Sequence, residues 1–234
     1  MSKASIEKQL KALGNTEIAS HSQGFFKTGP GEYGAGDVFL GIRVPVLRKQ
    51  VKGLRAEPLA EVLALLQSGY HEARLLALLL LVDRFERGDE PMRHKVYEAY
   101  LSHTVFINNW DLVDASAHKI VGAYLQDKPR AKLYELAGSD LLWEKRMAMI
   151  ATFWFIKDDD FTDALALAEQ FLHEPHDLMH KAVGWGLREV GKRQCQGMEG
   201  FLLQHYHTMP RTMLRYAIEK LPEARRQEYL KGTI

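Results

Sequence analysis

Apolar side chains recur at the spacing of an α-helix along most of this 234-residue chain, and no other feature constrains its fold as strongly. The pattern predicts helices over residues 45–54, 59–67, 72–87, 92–102, 110–126, 131–137, 142–156, 161–172, 178–192, 198–207, 211–221 and 223–231. Prolines stand at four of the expected helix starts, where the missing N–H costs nothing: Pro45, Pro91, Pro129 and Pro210. No segment alternates apolar and polar residues between hairpin turns, so we expect an all-α fold.

The predicted helices are short and come in pairs. Arg74, Trp110, Arg146 and Trp185 occupy similar places in the second helix of successive pairs, at spacings of 36, 36 and 39 residues. A period of about 40 residues is typical of HEAT-like solenoids, whose second helices line a concave surface. Because no internal stretch has the composition of a linker, we expect residues 1–234 to form a single curved domain, an α-α superhelix of HEAT-like repeats.

The charges of the chain nearly balance, with 31 Lys and Arg against 30 Asp and Glu. This balance excludes a broadly cationic surface and still permits a local basic groove. The longest apolar run, residues 75–82, is far shorter than the roughly 20 residues that a bilayer requires, so we expect no membrane partner. The single cysteine, Cys195, excludes an internal disulfide and fits a reducing cytoplasm.

Two patterns that resemble cofactor sites lack the context that such sites need. Residues 29–34 match G-x-G-x-x-G, but no strand precedes them and no helix begins on them. His173, His176 and His180 have no cysteine or carboxylate pattern that would complete a metal site. We therefore expect neither a metal nor a cofactor. The glycine-rich loop 29–36 either lies on a ligand or simply joins two helices.

The segment Asn108-Asn109-Trp110-Asp111-Leu112-Val113-Asp114 reads as the start of a helix, with Asn109 or Asn108 as the N-cap. Trp110 and Asp114 are four residues apart and therefore share one face. An aromatic ring beside a carboxylate suits the binding of a cationic ring; the alternative is a packed tryptophan and a solvated aspartate. Asp111 lies in the first turn, where the helix dipole favours a negative charge, and we do not expect it to be catalytic.

A second aromatic residue lies within a basic stripe on the helix 178–192. The stripe opposite the apolar face consists of Lys181, Trp185, Arg188 and Lys192. Gly184 and Gly186 flank the tryptophan, and glycine in a helix interior costs up to about 1 kcal/mol, which indicates close approach by another backbone or a ligand. The alternative is a tryptophan that lies over neighbouring lysine and arginine side chains on a solvated face.

Arg146 lies on a helix that is apolar on nearly all sides, and a buried guanidinium needs an anion. Asp114 and a nucleic-acid phosphate both qualify. The alternative is a purely structural Arg–Asp pair.

Four motifs resemble the bacterial DNA alkylation repair family, the AlkD-like HEAT-repeat DNA glycosylases. They are FLGIRVPVLRKQVK at 39–52, NNWDLVD at 108–114, LLWEKRMAMI at 141–150 and KAVGWGLREVGK at 181–192. The resemblance implies a superhelix that cradles duplex DNA on a basic concave face. It also implies hydrolytic removal of positively charged N3- or N7-alkylated purines, without insertion of the lesion into a deep pocket.

Carried over by motif, the resemblance implies that Asp114 is the catalytic aspartate. It makes Trp110 and Trp185 the aromatic residues at the lesion, and Arg146 the residue that grips the DNA backbone. The expected DNA contacts are Arg146, Arg43, Arg48, Lys181, Arg188 and Lys192. One departure lies in residues 25–37, which are longer and richer in glycine than in well-understood members. Phe25 or Phe26 stands here where those members carry a tyrosine.

The resemblance therefore predicts a DNA glycosylase with duplex DNA carrying alkylated bases as its partner. We expect a monomer without an obligate protein partner, in the cytoplasm and associated with the nucleoid. One alternative is a non-catalytic HEAT-repeat protein that binds nucleic acid such as branched DNA, which would not need Asp114. Another is a protein-binding scaffold, which would need neither the two tryptophans nor Arg146.

Overall fold

The computed structural model describes all residues from Met1 to Ile234, and it is built of helices without a strand. The α-helices are α1 (Lys3–Leu13), α2 (Thr16–Phe25), α3 (Val44–Leu54), α4 (Leu59–Leu66), α5 (His71–Arg87), α6 (Glu90–Leu101), α7 (Trp110–Ala117), α8 (Ala131–Ala137), α9 (Leu142–Ala151), α10 (Phe153–Ile156), α11 (Thr162–Gln170), α12 (Asp177–Arg193), α13 (Cys195–His205), α14 (Arg211–Ala217) and α15 (Glu223–Lys231). The all-α prediction is confirmed. None of these helices has both the length and the apolar character needed to cross a membrane.

The chain divides into two compact units, Met1–Ser116 and Ala117–Ile234. Within each unit, helices that follow one another pack as neighbours, such as α4 on α5 and α8 on α9. Packing between successive helices agrees with the prediction that the helices come in pairs. The HEAT-like repeat and the single curved domain over 1–234 stay predictions.

Helix α5 forms the core of the first unit. Its apolar residues are buried on every side, among them Leu76, Leu78 and Leu81, and a helix of this kind must be covered all round. The cover comes from α3, α4 and α6, while α1 packs against α4. As a result, the residues at the N-terminal end of α5, including His71, are held in a rigid setting.

Helix α12 has the same central position in the second unit, where it packs against α9, α11, α13 and α14. The face of α12 opposite the basic stripe is buried and includes Met179, Val183 and Val190. The two glycines beside Trp185 mark close contacts. A Cβ on Gly184 would overlap the Met213 carbonyl of α14, and a Cβ on Gly186 would overlap the Met149 side chain of α9. The predicted close approach is therefore made by neighbouring helices.

Two predicted helices are interrupted. The helix expected over 110–126 changes to π-helical hydrogen bonding at His118–Gly122, where Gly122 lies so close to the Ala151 carbonyl that a Cβ would overlap it. The helix expected over 142–156 divides at Thr152, whose hydroxyl donates to the Met149 carbonyl at 2.7 Å. Such hydrogen bonds from a threonine side chain to the preceding turn tend to bend helices.

Candidate functional site

Helix α7 begins where the sequence predicts. The buried Asn109 is its N-cap: the carbonyl oxygen accepts from the Val113 N–H at 3.2 Å, and Oδ1 accepts from the Trp110 N–H at 2.8 Å. Because the segment from Trp110 to Ala117 is helical, Trp110 and Asp114 lie one turn apart on the same face, as predicted. Both side chains are half-buried.

The Trp110 ring belongs to an aromatic cluster at the end of α2. It stacks on Phe26 with a centroid distance of 5.1 Å and an interplanar angle of 7°. Phe25 meets Trp110 edge-on, with the centroids 6.0 Å apart, and Phe25 itself is 58% exposed. One face of the indole is thus covered by Phe26, while Phe25 adds an exposed aromatic surface beside it.

Asp114 lies close enough to the buried Tyr100 to affect its ionisation. Burial, together with the negative charge of Asp114, raises the pKa of Tyr100. The Tyr100 hydroxyl lies 2.9 Å from the Ser116 hydroxyl. The Ser116 hydroxyl in turn donates to the carbonyl of Leu112, one turn earlier in α7. Tyr100 therefore stays neutral and holds the core side of α7.

A buried ionic network that sequence reasoning missed supports the start of α7. His71 Nδ1 lies 2.9 Å from an Asp37 carboxylate oxygen, and His71 Nε2 lies 2.8 Å from an Asp111 carboxylate oxygen. Although burial opposes the charged form, the hydrogen bonds to Asp111 and Asp37 raise the pKa of His71 to about 9. Burial also opposes ionisation of Asp37, but the hydrogen bond from His71 and the charge of Arg74 lower the pKa of this carboxyl.

Asp111 lies in the first turn of α7, as the sequence predicts. The structure adds a contact that the helix dipole does not explain, because the Asp111 carboxylate pairs with His71. No local pattern reveals this contact, because His71 and Asp111 are 40 residues apart.

The glycine-rich loop 29–36 lies in the segment between α2 and α3, and residues on both sides of it are anchored in this cluster. Phe26 lies at one end, and Asp37 lies at the other with its contacts to His71 and Arg74. Gly34 is tucked against the Phe26 carbonyl so closely that a Cβ would overlap it. An acidic residue of the network thus follows the loop directly, a role that the G-x-G-x-x-G pattern does not indicate.

A pocket of about 620 Å³ opens beside the network in the first unit. Its walls come from α2, the start of α3, and α5, with Phe26, Phe39 and Asp111 among the lining residues. Arg43 lies at its edge and is exposed.

The cations of α3 are free of carboxylates. Arg43 and Arg48, both predicted to contact DNA, are exposed and form no ion pair, and the same holds for Lys49 and Lys52. The sequence already indicates that these cations lack acidic neighbours along the chain, because residues 38–56 contain five cations and no acidic residue. These side chains can meet phosphates without first breaking an ion pair.

The cations of α12, in contrast, have carboxylate partners. Lys181 pairs with Asp177 at 2.7 Å, Lys192 pairs with Glu189 at 2.6 Å, and Arg188 pairs with Glu219. The Trp185 indole N–H also donates to Glu189, at 2.9 Å, and its ring packs edge-on against Phe153. The spacing of the cations along α12 predicted the basic stripe, but it did not reveal that acidic residues pair with them. Contact of the stripe with phosphate stays a prediction.

Arg146 is 5% exposed and joins α9 to the first turn of α12. Its Nη1 donates to the Leu178 carbonyl at 2.6 Å. A backbone carbonyl thus accepts one of the hydrogen bonds that the buried guanidinium can donate. The role of Arg146 in gripping DNA stays a prediction.

Comparison with known proteins places this arrangement in a family. No curated protein matches the chain. The fold is similar to the solved structure of a predicted DNA alkylation repair enzyme from Enterococcus faecalis, with a TM-score of 0.69 and 20% identity over 90% of this chain and 97% of that one. The model of the DNA alkylation repair enzyme family matches residues 6–221. Since this match spans most of both units and every residue discussed above for the site, the chain belongs to the DNA alkylation repair enzyme family.

Proposed function

We propose that this protein is a DNA glycosylase that hydrolyses the N-glycosidic bond of positively charged N3- or N7-alkylated purines in duplex DNA. Membership of the family supports a role in DNA repair. The observation that carries the finer proposal is the pair of side chains on α7. Trp110, half-buried and stacked on Phe26, lies one turn from the half-buried carboxylate of Asp114.

The chemistry needs only one carboxylate. An alkylated purine is already cationic, so it leaves as a neutral base without a general acid when the bond to the sugar C1′ breaks. The transition state resembles an oxocarbenium ion, which a nearby carboxylate stabilises. Asp114 fills this role and orients the water whose oxygen bonds to C1′ and whose proton is released. Trp110 and Trp185 attract the cationic base through their ring faces.

Binding of the duplex rests on two groups of cations in this proposal. Arg43 at the N-cap of α3 and Arg48 within α3 are exposed and unpaired, so they serve as direct phosphate contacts. Lys181, Arg188 and Lys192 contribute by exchanging their carboxylate partners for phosphates. Arg146 is the sixth proposed contact.

The decisive test is single-turnover release of 7-methylguanine from alkylated duplex DNA. We expect Asp114→Asn to keep the fold and most of the DNA affinity but to lose about 10²–10³ in rate, because the charge that meets the oxocarbenium ion is gone. Asp127→Asn, a change at an exposed aspartate of the second unit, is the matched control and should keep the wild-type rate.

Melting temperatures of both variants show whether the fold is intact. If the wild-type protein releases no base above background, the protein is instead a nucleic-acid-binding member without catalysis. If Asp114→Asn is fully active, the proposed role of this carboxylate is wrong.

A further inference from the structure

His71 is a buried histidine with a carboxylate at each ring nitrogen. It is 1% exposed, and its two nitrogens lie 2.9 Å and 2.8 Å from oxygens of Asp37 and Asp111. Ionised carboxylates only accept hydrogen bonds, and a neutral imidazole has a single N–H. Both contacts are therefore hydrogen bonds only when His71 is a doubly protonated imidazolium.

The two carboxylates belong to the segments that surround Trp110. Asp111 follows Trp110 directly in α7. Asp37 lies in the segment between α2 and α3, directly after the glycine-rich loop 29–36. It pairs with Arg74 and accepts a 3.4 Å hydrogen bond from the side chain of Asn109, the N-cap of α7. The imidazolium thus connects α5 with the loop and with the first turn of α7.

A second connection runs through aromatic rings. The His71 ring stacks on Phe39 with a centroid distance of 4.3 Å. The Phe26 centroid lies 5.1 Å from the centroid of His71 and also 5.1 Å from that of Trp110. The ring that covers Trp110 therefore rests on His71 as well.

We propose that His71 is a positioning residue whose protonated ring holds Trp110 and the first turn of α7 in place. The buried cluster contains two carboxylates and two cations, His71 and Arg74, so loss of the His71 proton leaves an uncompensated negative charge. A buried unpaired charge is costly, and separation of Asp111 from the neutral ring relieves it. The other ionisable groups around the adjoining pocket are Glu17, His21, Arg43 and Glu72. The Glu72 carboxylate accepts hydrogen bonds from the backbone N–H groups of residues 40–42 and is therefore satisfied without His71.

The catalytic meaning of this inference rests on the proposed function, but its structural part is measurable without activity. NMR of the wild-type protein follows the His71 ring and the Trp110 indole N–H from pH 6 to pH 10, with assignments from His71→Gln and Trp110→Phe. We expect the His71 signal to titrate with a pKa of about 9, and the Trp110 signal to move with the same midpoint. The inference is overturned if His71 titrates near its ordinary value of 6.5, or if Trp110 does not respond when His71 loses its proton.

A kinetic experiment adds the functional readout. His71→Gln keeps a planar hydrogen-bonding side chain but cannot donate to both carboxylates as an imidazolium does. We expect it to release 7-methylguanine roughly 10- to 100-fold more slowly, with DNA affinity within about twofold, since small displacements of catalytic groups cost this much. The matched control is His103→Gln, a half-buried histidine of the same unit that bonds to the Ala99 carbonyl.

The outcomes separate the two proposals. If the wild-type protein releases no base, the proposed function fails, and the NMR titration alone decides the positioning role. A wild-type rate in His71→Gln with an unmoved Trp110 signal overturns the positioning role while leaving the glycosylase intact. If His71→Gln does not fold, Asp111→Asn retains the histidine and removes one partner. A shift of the His71 pKa toward 6.5 together with a displaced Trp110 signal then supports the inference, and the absence of both overturns it.

Discussion

Glu189 determines what the basic side of α12 presents to a ligand. Its carboxylate accepts from the Trp185 indole N–H and pairs with Lys192, so it fixes the tryptophan ring and neutralises a neighbouring cation. A side chain held in this way gives up little rotational freedom when a ligand binds. Under the proposed function, this arrangement holds the Trp185 ring in place for a cationic base.

Trp185→Ala tests this role at the scale of one residue. We expect the variant to weaken binding to a duplex containing 7-methylguanine by about 0.5–2 kcal/mol more than it weakens binding to the unmodified duplex, because the indole attracts the cationic base. Titration of both duplexes with a fluorescent label gives the two affinities. Equal losses for the two duplexes would make Trp185 a general contact.

The residues of the candidate site differ in how far the sequence could predict them. Trp110 and Asp114 were found because their four-residue spacing is a local property of one helix. The contacts of His71 to Asp37 and Asp111 span 34 and 40 residues, and no periodicity encodes them. Partners of this kind depend on how helices pack, so only the folded chain reveals them.

At the scale of elements, the helical periodicity predicted most helices but not the first two. Helices α3 to α15 lie within or close to predicted segments, although two of those segments are interrupted. Helices α1 and α2 were missed: α1 buries Ile6 and Leu10, one turn apart, and α2 buries no residue fully. The sequence feature that could have indicated these two helices is the capping residue at the start of each, Ser2 for α1 and Asn15 for α2.

The contact between α12 and α14 gives a prediction about stability. We expect Gly184→Ala to lower the free energy of unfolding by about 1–3 kcal/mol, because the added methyl group overlaps the Met213 carbonyl. Gly200→Ala in α13 is the matched control: no atom lies within 4 Å of its Cβ position, so we expect a gain of about 0.5–1 kcal/mol. Urea unfolding measures both, and destabilisation by both variants would contradict this explanation.

The difference between α3 and α12 gives a prediction about salt. Arg48→Ala should reduce the slope of log affinity against log salt concentration by about 0.9, as expected for one lost phosphate contact. Lys192→Ala should change the slope less, because Lys192 already has Glu189 as its counterion and releases fewer salt ions. Binding of undamaged duplex at several salt concentrations measures the slopes, with the exposed Lys231→Ala as control. An unchanged slope in Arg48→Ala would remove α3 from the interface.

At the scale of the whole molecule, His71 makes stability depend on pH. Its pKa of about 9 in the folded state lies above its ordinary value of 6.5, so the folded protein retains a proton that the unfolded chain loses. The resulting stabilisation is complete below pH 6.5 and disappears as the pH rises through about 9. The free energy of unfolding that His71 contributes below pH 6.5, and that is lost above about pH 9, amounts to about 3 kcal/mol.

Urea unfolding at pH 6.5, 7.5 and 9 measures this effect. The wild-type free energy of unfolding should fall across the series, whereas that of His71→Gln should fall much less. Parallel curves for the two proteins would assign the pH dependence to other groups.

The anchored residues on either side of the glycine-rich loop 29–36 have a consequence for how this chain can vary in length. Phe26 and Asp37 both contact His71, so the two ends of the loop are fixed whatever lies between them. Each doubling of the length of a flexible loop costs only about 0.6 kcal/mol in closure entropy. Insertions among residues 29–33 therefore change the reach of the loop at a small cost in closure entropy, while the contacts of Phe26 and Asp37 with His71 persist.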